Sequence, residues 1–202
     1  QGSWLIATNG KGIDGTISIT EPIGDMPIDA RFTRLHVRRE TTTDSANAAS
    51  EHISIEPGSL PSAHVVVQRL RYNDLELGLA KLVLEPSDNG LLMREIFALS
   101  EAFEIRGTGR WTGSVGNAES SFDLRLHSND FGRFTQALGY GDGGIEGGVA
   151  EIAIEANWLG SPFDFGLDRM QGELHFRATG GRLLDLEPGA TGRAFGLLNM
   201  TV

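Results

Sequence analysis

Residues 147–158, GGVAEIAIEANW, and residues 171–179, QGELHFRAT, decide the fold of this chain. In the first run, Ile152 and Ile154 fall on one side of an extended chain, while the neighbouring glutamates fall on the other. The second run alternates in the same way. A period of two in neighbouring runs predicts antiparallel strands, with one apolar and one polar sheet face.

The same alternation recurs along most of the chain, between turns rich in Gly, Asn and Asp. Asn89-Gly90 is one strong hairpin signal among these turns. The pattern therefore predicts a mainly β fold built from many short strands. The further strands are predicted at 3–8, 13–20, 28–37, 63–72, 75–85, 91–99, 102–111 and 119–127.

One segment, SNDFGRFTQALG at 128–139, breaks this rhythm. Its apolar residues Phe131, Phe134 and Leu138 are at helical spacing, and Gly139 follows as a stop signal. Ser128 or Asn129 is the expected N-cap residue. We predict a short amphipathic helix near 129–138 whose aromatic rings close one end of the sheet. A second short helix is predicted to begin near Pro188.

Three parts organise the chain in this interpretation. Residues 1–37 supply N-terminal strands, and residues 63–202 form the main sheet with its helix. Residues 38–62 between them are polar and small and lack any period, so we predict a flexible insert there. Because the sequence starts with Gln1, we expect it to be a piece of a longer protein.

The composition excludes several functions. The chain has 202 residues, with 17 Lys+Arg against 27 Asp+Glu and a net charge of −10. This acidic balance argues against nucleic-acid partners and against adhesion to an anionic membrane surface. The absence of Cys rules out disulfides and thiolate chemistry. No apolar run reaches the roughly 18 residues of a membrane span.

No catalytic or metal-binding pattern emerges from the polar residues. The five histidines show no pair at metal-ligand spacing. Glu151/Glu155 and Asp164/Asp168 could form acid/base couples, but the glutamates read better as outward residues of one strand. We therefore predict no enzyme, no catalytic residue, no metal and no cofactor.

The three tryptophans, Trp4, Trp111 and Trp158, each lie near the end of a predicted strand. Tryptophan at such positions commonly closes a core, and we predict that role here. A sugar-binding platform built from Trp111, Trp158 and nearby carboxylates remains an alternative at this stage.

Several segments together resemble a known family. Trp158, Gly160, Pro162 and Phe165 form the most specific series, which Gly172 and later Gly181-Arg182 and Pro188-Gly189 follow. With their surroundings they are similar to the AsmA-like C-terminal region, in the YhdP branch of the superfamily that also contains TamB. The segments that carry the resemblance are IRGTGRW (105–111), LHSNDFGRFTQALGY (126–140), IEGGVAEIAIEANWLGSPFDF (145–165), MQGELHFRATGGRLLDLEPGA (170–190) and GLLNM (196–200).

The resemblance implies a curved antiparallel sheet whose concave side is an apolar groove. It also implies a periplasmic protein of the Gram-negative envelope, anchored in the inner membrane by its parent chain. Such a protein would carry phospholipids towards the outer membrane and support its permeability barrier. Its expected partners are phospholipid acyl chains and envelope proteins.

The groove candidates are apolar residues of the alternating runs, although the sequence does not show which face lines the groove. They are Leu77, Leu79, Val83, Met93, Phe97, Phe122, Leu124, Leu126, Ile152, Ile154, Leu174 and Phe176. The residues alone leave a rival hypothesis open, in which the same side chains form the sealed core of a non-catalytic β-sandwich that docks envelope proteins.

Overall fold

The computed structural model describes residues 2–24, 26–38, 55–114, 116–137, 145–165 and 169–183. Within these ranges, ten strands form a single open sheet. The strands are β1 (Ser3–Asn9), β2 (Ile13–Thr20), β3 (Ile28–Val37), β4 (Ala63–Tyr72), β5 (Leu75–Ser87), β6 (Gly90–Leu99), β7 (Glu104–Ser114), β8 (Asn117–Ser128), β10 (Val149–Leu159) and β11 (Gln171–Thr179).

Within the described residues, five shorter elements accompany the sheet. A minimal ribbon pairs β9 (Ile145–Glu146) with β12 (Arg182–Leu183). The helix α1 spans Phe131–Ala137, which confirms the helix expected near 129–138. Single 3-10 turns occur at Pro57–Ser59 and Pro162–Asp164. The helix predicted near Pro188 lies outside the described residues.

Strand order in the sheet follows chain order, apart from β9, which is not part of this sheet. Every neighbouring pair is antiparallel except β3 and β4, which run parallel. The mainly β, antiparallel prediction is therefore confirmed, with one parallel pair that the sequence did not reveal. A parallel neighbour requires a crossover from one end of the sheet to the other. The connection between β3 and β4 therefore crosses the sheet, and the structure describes its residues 38 and 55–62.

The last part of this crossover, residues 55–60, is packed against the sheet and is called the strap below. It contacts β5, β6 and β7, and its Pro57 is fully buried. The three-part division of the chain stays a prediction, but the end of the predicted insert is structured.

The register assigns each strand residue to one of two faces. Ile152 lies opposite Leu126 on β8 and opposite Phe176 on β11, so apolar side chains meet in rows across the strands. The apolar face comprises Ile17, Ala30, Phe32, Val65, Val67, Ala80, Leu82, Leu91, Met93, Ile96, Ile105, Trp111, Phe122, Leu124, Leu126, Ile152, Ile154, Leu174 and Phe176. The polar face includes Asp29, Arg31, His64, Lys81, Arg106, Asp123, Arg125, Glu151, Glu155, Glu173 and His175.

Both buried clusters of the sheet lie on the apolar face. One groups Ala30, Phe32, Val67 and Ala80, and the other groups Leu91, Met93 and Trp111. Their members come from neighbouring strands, so side chains cover one another along the sheet.

Glycines on the apolar face let large neighbours lie flat across the strands. A Cβ at Gly107 would stand 2.6 Å from Leu124 Cδ2 and would also collide with the Asp123 carbonyl oxygen. At Gly109 a Cβ would stand 2.7 Å from Cδ1 of Phe122. The Phe122 and Leu124 side chains therefore occupy the space above β7 that side chains at positions 107 and 109 would need.

Gly107→Ala should destabilise the fold by about 1–3 kcal/mol, because the added methyl meets main-chain atoms that cannot move without disturbing β8. Gly58→Ala is the control, since nothing lies within 4 Å of a Cβ at that position. The control should change stability by less than about 0.5 kcal/mol. Urea unfolding followed by circular dichroism measures both, and equal stabilities would contradict this account of the glycines.

Candidate functional site

The structure brings most of the groove candidates onto the apolar face. Residues from β6, β8, β10 and β11 meet there in register: Met93, Phe122, Leu124, Leu126, Ile152, Ile154, Leu174 and Phe176.

The remaining candidates lie elsewhere, because the alternating set of β5 that faces the apolar side is Ala80, Leu82 and Leu84. Val83 pairs with His64 and Glu95, which places it on the polar face. Leu79 lies opposite Leu99 in the register row of Glu104, also on the polar face. Leu77 has no partner on β4, because the register shifts at that point. An extra residue in a strand reverses the faces of those beyond it.

Phe97 also lies on the polar face, between two cations. Lys81 Nζ is 5.5 Å and Arg106 Cζ is 4.9 Å from the centre of its ring. The ring face attracts both charges, which explains how an aromatic residue is kept in this row. Arg106 also donates a hydrogen bond to Glu104 and thereby holds the pKa of that carboxyl below its ordinary value.

The centre of the apolar face is only half buried. Ile152, Ile154, Leu124 and Leu126 all retain partial exposure, and Leu174 on the edge strand is 60% exposed. The other sheet among the described residues is the two-stranded ribbon of β9 and β12, and β9 contacts α1. A large apolar area in contact with water is unfavourable, at about 25 cal/mol per Å², and such areas usually mark a binding surface.

The helix α1 covers one end of the apolar face. Phe134 is buried and its ring meets Phe103 edge-on at 5.3 Å, while Phe131 lies 5.4 Å from Phe176. These contacts agree with the prediction that the helix aromatics close one end of the sheet.

The N-cap of α1 is Asp130, whose carboxylate accepts a hydrogen bond from the Arg133 backbone N–H at 3.0 Å. The prediction of Ser128 or Asn129 as the cap is therefore wrong. Ser128 is buried and donates to the Ala102 carbonyl at 2.7 Å, which ties the end of β8 to the turn before β7.

The opposite end is covered by the corner after β10. Trp158 Nε1 donates to the Ser161 carbonyl at 2.8 Å, and Ser161 and Asp164 form a reciprocal capping box. The Trp158 ring stacks on Phe122 at 5.0 Å, and Phe165 meets it edge-on. The most specific part of the family resemblance is thus a structural corner that holds a tryptophan over the sheet.

The strap lies near this second end. Ile55 and Leu60 pack against the cluster that contains Trp111, and Pro57 is fully buried. These residues belong to the predicted polar insert, and their packing against the sheet was not predicted. The apolar spacing in ISIEPGSL, residues 53–60, was the available signal.

Between these covers the apolar face is open across β6, β7, β8, β10 and β11, and this open stretch is called the trough below. A hollow of about 690 Å³ also exists, but it lies mainly among polar-face residues such as Arg94, Arg110, Glu155 and Glu173. Asp123, Glu155 and Glu173 stand directly opposite one another there. A charged hollow is unsuitable for hydrocarbon, so the apolar trough is the candidate site. A second hollow of about 540 Å³ is also lined by polar-face residues, among them Arg31 and Val66.

The three tryptophans were predicted to close the core, and two of them do. Trp111 and Trp158 are buried as expected, whereas the prediction of a core role for Trp4 is wrong. Trp4 is 63% exposed on the edge strand, where its Nε1 donates to Glu21 at 2.6 Å.

The carboxylates considered as acid/base couples lie on the polar face or in turns, where the structure describes them. Glu151 and Glu155 share the polar face as predicted, and Asp164 belongs to the capping box. Asp168 is outside the described residues. Among the residues that the structure describes, no three His, Asp or Glu side chains gather as metal ligands would.

Comparison with known proteins decides the family. A family model described as YhdP protein matches residues 1–201. The chain belongs to the YhdP family. YhdP-family membership makes it an AsmA-like protein of the Gram-negative envelope. None of the curated proteins or solved structures matches it significantly. Among its described helices, none has the length and apolar character needed to cross a bilayer.

Phe134→Ala should cost about 3–5 kcal/mol, because it empties the contact between α1 and the apolar face of this YhdP-family chain. Phe163→Ala serves as the matched control, since that ring is 80% exposed. Its loss should leave the free energy of unfolding almost unchanged. Chemical denaturation measures both variants, and a stable Phe134→Ala protein would show that α1 does not anchor this end.

Proposed function

We propose that this chain is part of a periplasm-spanning AsmA-like protein that carries phospholipids between the inner and outer membranes. Acyl chains lie along the apolar face, and the parent protein is anchored in the inner membrane. Transport of this kind supports the permeability barrier of the outer membrane. It requires no covalent step, so the chain acts without catalytic residues, metals or cofactors.

One observation carries the proposal: a continuous apolar face that crosses ten strands and keeps its centre half exposed. Ten strands at a spacing of about 4.8 Å give nine intervals, or roughly 43 Å across the sheet. Each CH₂ moved from water onto such a surface gains about 0.8 kcal/mol. A lipid can therefore leave a bilayer at little net cost if its tails remain on this face.

The groove candidates on the apolar face are proposed as acyl-chain contacts. Val83, Leu79 and Phe97 belong to the polar face and are not included, and Leu77 at the bulge is also left out. The trough between α1 and the Trp158 corner offers the longest uninterrupted apolar rows.

A scaffold module is the rival function. Its sealed sandwich would need a second layer, and beside the ten-stranded sheet the described residues form only the two-stranded ribbon of β9 and β12. Native mass spectrometry of protein purified from Gram-negative cells separates the two functions. Phospholipid bound to the protein supports the transport proposal. Protein free of lipid, with a partner protein bound instead, supports the scaffold.

Leu174→Asp should weaken phospholipid binding by roughly tenfold or more, because a carboxylate cannot be desolvated against hydrocarbon without a large penalty. Folding should survive, since Leu174 is largely exposed before any lipid binds. His175→Asp is the matched control on the same strand, one residue away on the polar face.

Binding of a fluorescent phospholipid and thermal melting measure both variants. Equal loss of binding in the two variants, or no loss in Leu174→Asp, would reject the apolar face as the lipid surface.

A further inference from the structure

Trp111 carries a buried donor without an acceptor. The side chain is 4% exposed, and its Nε1 is the one deeply buried side-chain polar atom within the described residues that lacks a hydrogen-bond partner. An unsatisfied buried donor costs about as much as a lost hydrogen bond, so its presence requires an explanation. Trp158 provides the contrast, because its Nε1 is satisfied by Ser161 in the same region of the sheet.

The strap packs against the cluster around Trp111 through apolar contacts alone. Its hydrogen bonds among the described residues stay inside the strap: Ser59 donates from its backbone N–H and its Oγ to the Glu56 carbonyl, and Leu60 N–H donates to Pro57. Ile55, Pro57 and Leu60 provide the contact with the sheet. A segment held only by apolar contacts can be displaced by another apolar group of similar size.

A phospholipid supplies the two kinds of group that this place lacks. Its acyl chain can replace the apolar contacts of the strap. Its ester carbonyls, where the chains join the glycerol, are acceptors for an indole N–H. The Glu56 and Pro57 carbonyls accept hydrogen bonds from within the strap, and the Trp111 donor is unsatisfied while the strap is in place.

We infer that the strap is a displaceable cover of the lipid face and that Trp111 is a specificity residue, whose Nε1–H binds an ester carbonyl of the phospholipid once the strap has moved. This inference rests on the proposed function and adds to it the ester linkage as the recognised group. It fixes the glycerol end of the lipid beside β7, with the tails directed along the trough.

The test compares two ligands that differ only at the recognised group. One is a short-chain diacyl phosphatidylcholine, kept below its micelle concentration, and the other is the dialkyl ether of equal chain length, which has no carbonyl. Calorimetry with the unaltered chain should show the ester binding about threefold to tenfold more tightly than the ether, the range expected for one net hydrogen bond. This comparison needs no variant and so does not depend on the folding of one.

Trp111→Phe should remove the preference, so that both ligands bind as the ether binds to the unaltered chain. A purely structural tryptophan would weaken both ligands equally and leave the preference intact. Equal binding of ester and ether to the unaltered chain, or a preference that persists in Trp111→Phe, overturns the role of Trp111. Neither result contradicts the proposed function. In this experiment the proposed function fails if neither ligand binds, and the inference then fails as well.

The strap is tested with a double variant, Ile55→Ser with Leu60→Ser. Displacement predicts that this variant binds both ligands several-fold more tightly, because less apolar contact must be given up. Ile23→Ser with Leu159→Ser removes exposed apolar side chains elsewhere and should leave both affinities unchanged. Weaker binding in the strap variant alone would show that the strap is part of the lipid site, and would overturn its displacement.

Discussion

The structure depends on one constraint, which is that an apolar sheet face must be kept out of water. Most domains meet it by packing a second layer against the first. The described part of this chain instead has one sheet of ten strands, and partial covers at its ends. The helix α1, the Trp158 corner and the strap each cover a limited area. The open centre is therefore the feature that function must explain.

The sheet reduces the exposure of this centre by its own local chemistry. Gly107 and Gly109 allow Leu124 and Phe122 to lie across β7, which lowers their contact with water without any overlying layer. Rows of Leu, Ile and Phe from neighbouring strands pack side by side. The outcome is an apolar surface whose side chains cover one another in part without an overlying layer.

Much of this architecture could be predicted from the sequence. A period of two is a direct consequence of strand geometry, so β2, β3, β4 and β11 begin and end where the alternation does. The short helix was also accessible, because its aromatic spacing differs from that of the strands. The family resemblance then supplied the openness of the sheet, which periodicity alone could not distinguish from a sandwich.

The wrong predictions concern strands in which both alternating sets contain apolar residues, and strands that pair with a partner far away in sequence. In LGLAKLVLE both alternating sets contain apolar residues, so the sequence does not reveal that Ala80, Leu82 and Leu84 face the apolar side while Leu79 and Val83 face the polar side. Phe97 follows the apolar pattern in composition but is held by Lys81 and Arg106 from two other strands. The parallel pairing of β3 with β4, and the strap that results from it, depend on contacts between residues far apart in sequence.

The central claim is that lipid tails lie on one face of this sheet, and a spin-labelled phospholipid tests it residue by residue. A nitroxide placed midway along an acyl chain broadens the methyl resonances of nearby residues in an NMR spectrum. The account predicts broadening at Ile152, Ile154 and Leu124 on the apolar face, with sharp signals at Val66, Val83 and Ala153 on the polar face. Equal broadening on both faces, or none on the apolar face at saturating lipid, would contradict it.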